Sequence, residues 1–138
     1  MRTTTACTAA ILAAALLTSC STGKSSSAAA AEKVQGICED LKVHSDGTDA
    51  WNNGGDSMND WTSMARLQNN VANQAASAAV TDPRWNRLAD TLSDMAAIAQ
   101  RYADANPVPI ELTPEDSAAV SESGLIVHAE CRKAFTST

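Results

Sequence analysis

"WNRLADTLSDMAAIAQRY", residues 85–102, decides the fold class. Its larger apolar side chains fall at Trp85, Leu88, Leu92, Met95, Ala99 and Tyr102, alternating steps of three and four. Only a helix gathers positions so spaced onto one face, and Asp90 and Asp94 then fall on the opposite, polar side. Asn106-Pro107 marks its end, because proline disfavours helical backbone at the residue before it.

Moving toward the N-terminus, "TDPRW" reads as a tight corner, with Thr81 or Asp82 as cap and Pro83 in the first helical turn. Before it, a second helix is predicted from Ser57 or Met58 to about Val80. Trp61, Met64, Ala65, Val71, Ala72, Ala75 and Ala79 share its apolar face, with Arg66, Asn70, Asn73 and Ser77 opposite. "HSDGTDAWNNGGDS", residues 44–57, predicts a loop through its Gly, Asp and Asn cluster. A first helix precedes it over about Ala29–Val43, on a narrow stripe of Val34, Ile37, Cys38 and Leu41.

Toward the C-terminus, "PVPIEL" predicts an extended connector, and Thr113-Pro114-Glu115-Asp116 opens a fourth helix. This helix should reach about Ala134, with Val120, Gly124, Val127 and Cys131 on one face. Gly124 there suggests close packing against the first helix, although "GLIV" could instead start a short strand. The expected fold is all-α: a small antiparallel four-helix bundle tied by one disulfide and preceded by a signal peptide and flexible tether.

Composition agrees with helices. Aromatics make up 4% of the 138 residues and Ala is abundant, which suits close helix packing and leaves little for a strand-built core. The formal net charge is -6, and all 16 acidic residues follow position 20. Such a surface repels phosphate backbones, so nucleic acid is not an expected partner.

The chain opens on Arg2, then an apolar run from Ala6 to Leu17, then Leu17-Thr18-Ser19-Cys20. About twelve apolar residues cannot span a bilayer, which needs roughly 20. The layout fits the apolar core of a secretory signal peptide. "LTSC" resembles the lipobox of bacterial lipoproteins. That resemblance implies lipidation of Cys20 by a diacylglyceryl group carrying palmitate-type chains, and removal of residues 1–19. Two acyl chains suffice for stable anchoring where one is marginal. Residues 20–31 would then be the lipidated Cys and a small, polar linker spanning about 18 Å as a coil. Residues 32–138 would form the helical domain on the extracytoplasmic face of the cell membrane. The Ala-rich, Lys-poor style resembles small lipoproteins of high-GC Gram-positive bacteria and their prophages.

Of the four cysteines, Cys7 leaves with the signal peptide and Cys20 is the lipid site. Cys38 and Cys131 remain as an even pair in an exported chain, for which a disulfide is expected. The rival is a Cys2His2 zinc set of Cys38, His44, His128 and Cys131, since His128-x-x-Cys131 shares one helical face. An oxidising exterior favours the disulfide, and the Cys38-x5-His44 half lacks usual finger spacing.

The segment 44–60 is the most ligand-like stretch, with Asp46, Asp49, Trp51, Asn52, Asn53, Asp56 and Asp60. Calcium would use such oxygens, but the alternating acidic order of an EF-hand is missing. A sugar could stack on Trp51. The plain alternative is a solvated, Gly-rich turn region.

The sequence has no G-x-S-x-G elbow, no H-E-x-x-H and no Gly-rich phosphate loop, so no catalytic constellation can be named and no cofactor is called for. The expected function is a membrane-anchored, non-catalytic binding or interaction module whose partner is an envelope protein or surface ligand. A prophage-type superinfection-exclusion lipoprotein is the alternative. A carrier for a small molecule or sugar ranks third, because a small Ala-rich bundle is expected to enclose little cavity volume.

Overall fold

The computed structural model describes residues 25–52, 61–105 and 111–136, and for 42–52 the backbone alone. Cys20, the whole of residues 1–24, and residues 53–60 and 106–110 lie outside it. The expectations for the signal peptide, the loop residues Asn53 and Asp56, and the connector "PVPI" therefore fall outside the described residues.

Four α-helices and one 3₁₀ turn make up nearly all of the described chain: α1 (Ser26–Asn52), α2 (Trp61–Thr81), the turn Pro83–Trp85, α3 (Asn86–Asp104) and α4 (Pro114–Thr136). The described residues contain no strand, and "GLIV" is helical.

The predicted stripe of α3 lies where its spacing puts it. Trp85 is 1% exposed and Leu88 and Leu92 are fully buried, with Ala99 and Tyr102 also inside. Val71, Ala75 and Ala78 of α2 meet this stripe, and Val34 and Ile37 of α1 close over it. Alanine on the facing surfaces lets the helix axes approach, so a handful of large side chains can fill the space between them. At roughly 1.5–3 kcal/mol for each fully buried Leu, Ile, Val or Phe-sized group, these few positions supply most of the apolar drive.

The helix ends follow from their capping residues. Asp82 caps the 3₁₀ turn by accepting from the Arg84 backbone N–H at 3.2 Å, and Pro83 follows it. At the start of α4, Thr113 Oγ1 accepts from the Asp116 N–H at 3.1 Å. Asp116 also receives the Tyr102 hydroxyl at 2.8 Å and the Arg101 guanidinium, so it bolts the end of α3 to the start of α4. The Tyr102 hydroxyl above all, then Thr113 and Arg101, hold this carboxyl below the usual aspartate range.

α1 is tied to its neighbours by polar contacts along its length. Ser27 Oγ donates to Asp82 Oδ2 at 2.6 Å and accepts from Arg84 Nη2 at 3.1 Å, while Arg84 Nε also pairs with Asp82 at 2.8 Å. Higher up, Gln35 Nε2 donates to the Ala134 carbonyl at 2.8 Å, satisfying an acceptor that the last turn of α4 leaves open. One turn further along α1 from Gln35 sits the Cys38–Cys131 disulfide, with Cα atoms 5.7 Å apart and the two cysteines 93 positions apart in sequence.

Three expectations need correction. The linker does not extend to Ala31: α1 begins at Ser26, and Ala30 and Ala31 are each 2% exposed in the core. A run of alanines with no charge is as good a helix former as it is a spacer, and burial against α2 and α3 decides between the two. Nor does α1 stop near Val43. It continues to Asn52, so the backbone of Asp46, Asp49, Trp51 and Asn52 is helical where a loop was expected. Extending a formed helix gains a hydrogen bond for each residue fixed, which offsets the modest propensity cost of Gly, Asp and Asn. Finally, Gly124 does not mediate close helix packing. It is exposed, and a Cβ placed on it meets nothing within 4 Å.

Candidate functional site

The space left open beside Gly124 belongs to a half-enclosed cavity of about 670 Å³, to which all four helices contribute. Its most buried lining residues are Cys38 from α1, Gln68 from α2, and Ile98 and Ala99 from α3, each no more than 9% exposed. Half-buried apolar side chains rise above this floor: Leu41, Trp61, Met64, Leu67, Met95, Leu112, Val120 and Val127. Four residues of α4 form the exposed lip, namely Gly124, His128, Arg132 and Phe135, the last 51% exposed.

The local sequence explains each wall. Trp61, Met64 and Gln68 lie at steps of three and four on α2, and Ile98 and Ala99 lie three and four positions after Met95 on α3. Val120, Gly124, Val127 and Cys131 form the cysteine face of α4. Trp61 is steadied by Tyr102, their ring centroids 4.7 Å apart and their planes tilted by 36°. The disulfide contributes both sulfur-bearing residues to the wall, so α1 and α4 are covalently fixed at the cavity's edge.

The lining is dominated by carbon and sulfur. Of its polar side chains, Arg132 and His128 are exposed at the lip, whereas Gln68 lies on the floor. The Gln68 Oε1 atom is buried with no hydrogen-bond partner, and Nε2 makes only a weak contact to Met64 Sδ at 4.0 Å. Volume, enclosure and one polar group among apolar walls are the attributes of a small-molecule site.

The comparisons add no relative. No protein-family model, no curated protein and no solved structure matches this chain. The geometry of the cavity therefore carries the functional argument by itself.

The sequence-derived candidates fare differently. Cys38 and Cys131 are joined, which removes both thiolates from the proposed zinc set. His128 stands exposed on the lip, and the side chain of His44 lies outside the described residues. The acid-rich stretch is helical backbone over Asp46, Asp49, Trp51 and Asn52, whose side chains lie outside the described residues, as do Asn53 and Asp56. The expectation of little cavity volume is not met: a cavity of about 670 Å³ lies among mostly large apolar side chains, with Ala99 and Gly124 its small lining residues. Gln68 was missed altogether. Its signal was a polar residue on the apolar face of α2, three positions before Val71 and four after Met64.

Proposed function

We propose that this chain is a lipid-anchored, extracytoplasmic binding protein that holds an apolar small molecule without transforming it. In this reading residues 1–19 are a signal peptide, Cys20 carries the acyl anchor, and the four helices form an antiparallel bundle around the cavity. The observation that carries the binding half is the half-enclosed apolar cavity of about 670 Å³, within the size range of pockets that bury drug-sized ligands. The "LTSC" resemblance supports the anchoring half. A disulfide bridging two helices supports export, because such bonds persist in oxidising compartments.

Anchoring is tested by Cys20→Ser. The wild-type chain is expected in the membrane fraction with added acyl mass, and the variant unprocessed or released without lipid. Membrane partition and acyl labelling unchanged in the variant would remove the anchor from the proposal.

Binding is tested at Gly124, where the structure offers room for a side chain. Gly124→Ala should raise stability by about 1 kcal/mol, because a helix interior favours Ala over Gly by that amount. Gly124→Trp should fill the lip, keep the fold, and abolish saturable binding of an uncharged apolar dye such as Nile red. Equal dye binding by wild type and Gly124→Trp would show that the cavity is not the site.

A further inference from the structure

Three side-chain polar atoms among the described residues are buried without a partner: Gln68 Oε1, Trp85 Nε1 and Glu130 Oε2. Only Gln68 belongs to a residue that lines the cavity. An unpaired buried amide oxygen is costly, on the order of 1–3 kcal/mol, and apolar replacement at such a site is commonly neutral or better. Leu or Met would serve α2 as a core residue at this position. Oε1 has essentially no accessible surface as placed, so the amide must turn about its terminal torsion to present it to the cavity, where a ligand supplies the missing hydrogen bond.

The chemistry of that ligand follows from the amide and its surroundings. Gln68 is 8% exposed, and its neighbours on the floor are Cys38, Ile98 and Ala99, none of which offers a strong side-chain hydrogen bond. A full charge placed there would be desolvated without a counter-ion, which excludes carboxylates and amines as the group that meets Gln68. The terminal torsion of glutamine is broad and roughly two-fold, so the amide can offer either its oxygen or its N–H₂ to the cavity. A hydroxyl, which both donates and accepts, is satisfied by either presentation. The remaining walls accept aromatic or aliphatic carbon, with Trp61 and two methionines adaptable in shape.

We propose that Gln68 is the polar recognition point of the cavity and selects an apolar molecule bearing a hydroxyl group. This rests on the reading of the cavity as a binding site and names the ligand class it takes. The Gln68 amide gives its hydrogen bond to the ligand hydroxyl in place of the bond it lacks in the empty protein. A matched hydrocarbon leaves the amide unpaired and loses that contribution.

The test compares biphenyl, 4-methoxybiphenyl and 4-phenylphenol by titration calorimetry against the full chain carrying Cys20→Ser, with Gly124→Trp as the blocked control. The phenol should bind roughly tenfold more tightly than biphenyl, the ratio expected for one buried hydrogen bond gained. The methoxy compound, which accepts but cannot donate, should fall near biphenyl when the amide presents its oxygen and near the phenol when it presents its N–H₂. In Gln68→Leu the advantage of the phenol should disappear while biphenyl binding holds or improves, with melting temperature unchanged or raised. Should Gln68→Leu not fold, Gln68→Met gives the same comparison with a flexible isostere, and the three wild-type affinities stand without any variant. Equal affinities for phenol and biphenyl, or a ratio unaltered by the Gln68 substitution, would overturn the assignment of Gln68 while leaving the cavity as a site. Failure of all three compounds to bind wild type would overturn the cavity itself, and with it the binding function proposed above.

Discussion

Reduction of the Cys38–Cys131 disulfide is expected to lower the melting temperature of the domain by roughly 15–30 °C. The bond joins cysteines 93 positions apart in sequence, and the chain-entropy treatment assigns a loop of that length about 4–5 kcal/mol. The effect should be large because α1 contributes few bulky groups to the core. Val34 and Ile37 are its fully buried side chains of any size, and Ala30 and Ala31 add little area. Cys131→Ser should reproduce the loss. Limited proteolysis should cut α1 first, since α2 and α3 share the most extensive interface and retain it without the bond. Mass analysis should find the native protein about 2 Da below its reduced form, the mass of the two hydrogens that reduction adds to a disulfide. An unchanged melting temperature after complete reduction would show that α1 docks through its side chains alone.

Trp85→Ala should be the most damaging single substitution in the core, costing about 3–5 kcal/mol. The ring is 1% exposed, sits where the 3₁₀ turn passes into α3, and packs in the same cluster as Val34, Ile37, Leu88 and Leu92. Arg84 also lies over it at 5.0 Å, so truncation removes a cation–π contact along with the apolar area. Trp85→Phe offers a sharper comparison. It keeps much of the ring and deletes an indole N–H that has no partner, so it should cost far less than alanine does. Chemical denaturation of the two variants separates these contributions. Equal losses in both would mean that ring volume is not what the site requires.

The legibility of this fold in its sequence varied with the strength of the local pattern. The α3 stripe was readable because large residues repeat at helical spacing with acids opposite, and both caps were readable because Asp82-Pro83 and Thr113-Pro114 have few other uses. The extent of α1 was not. Gly47, Asp49 and Asn52 are turn-formers by propensity, but propensity is a weak prior once a helix is already running and docked. At the other end, Ala28 to Ala31 fit a linker and a helix equally well by composition, and only burial separates the two.

The cavity was illegible for a different reason. Met64, Leu67, Ile98, Val120 and Val127 are ordinary core residues, and whether they meet one another or face a gap depends on the placement of four helices at once. Gly124 was the one local clue, and it has two opposite uses. A glycine on an apolar helix face can admit a neighbouring helix or can leave room for something else. A Cβ built on it meets nothing within 4 Å, so it admits no neighbouring helix.

If Cys20 carries the lipid anchor proposed above, the clasp at the base of α1 has a mechanical consequence. Any pull between the membrane and a body gripped by the domain arrives first at Ser27, where two hydrogen bonds join it to Asp82 and Arg84. If those yield, α1 unzips upward from Ser26, but at Cys38 the load passes through the sulfurs into α4. Converting the residues below that point from 1.5 Å of helical rise to about 3.4 Å of extended chain each lengthens the tether by roughly 25 Å. The covalent bond would then stop the run at the cavity wall, so under that anchoring the lower part of α1 would act as a spring with a fixed travel while the upper part is shielded from force.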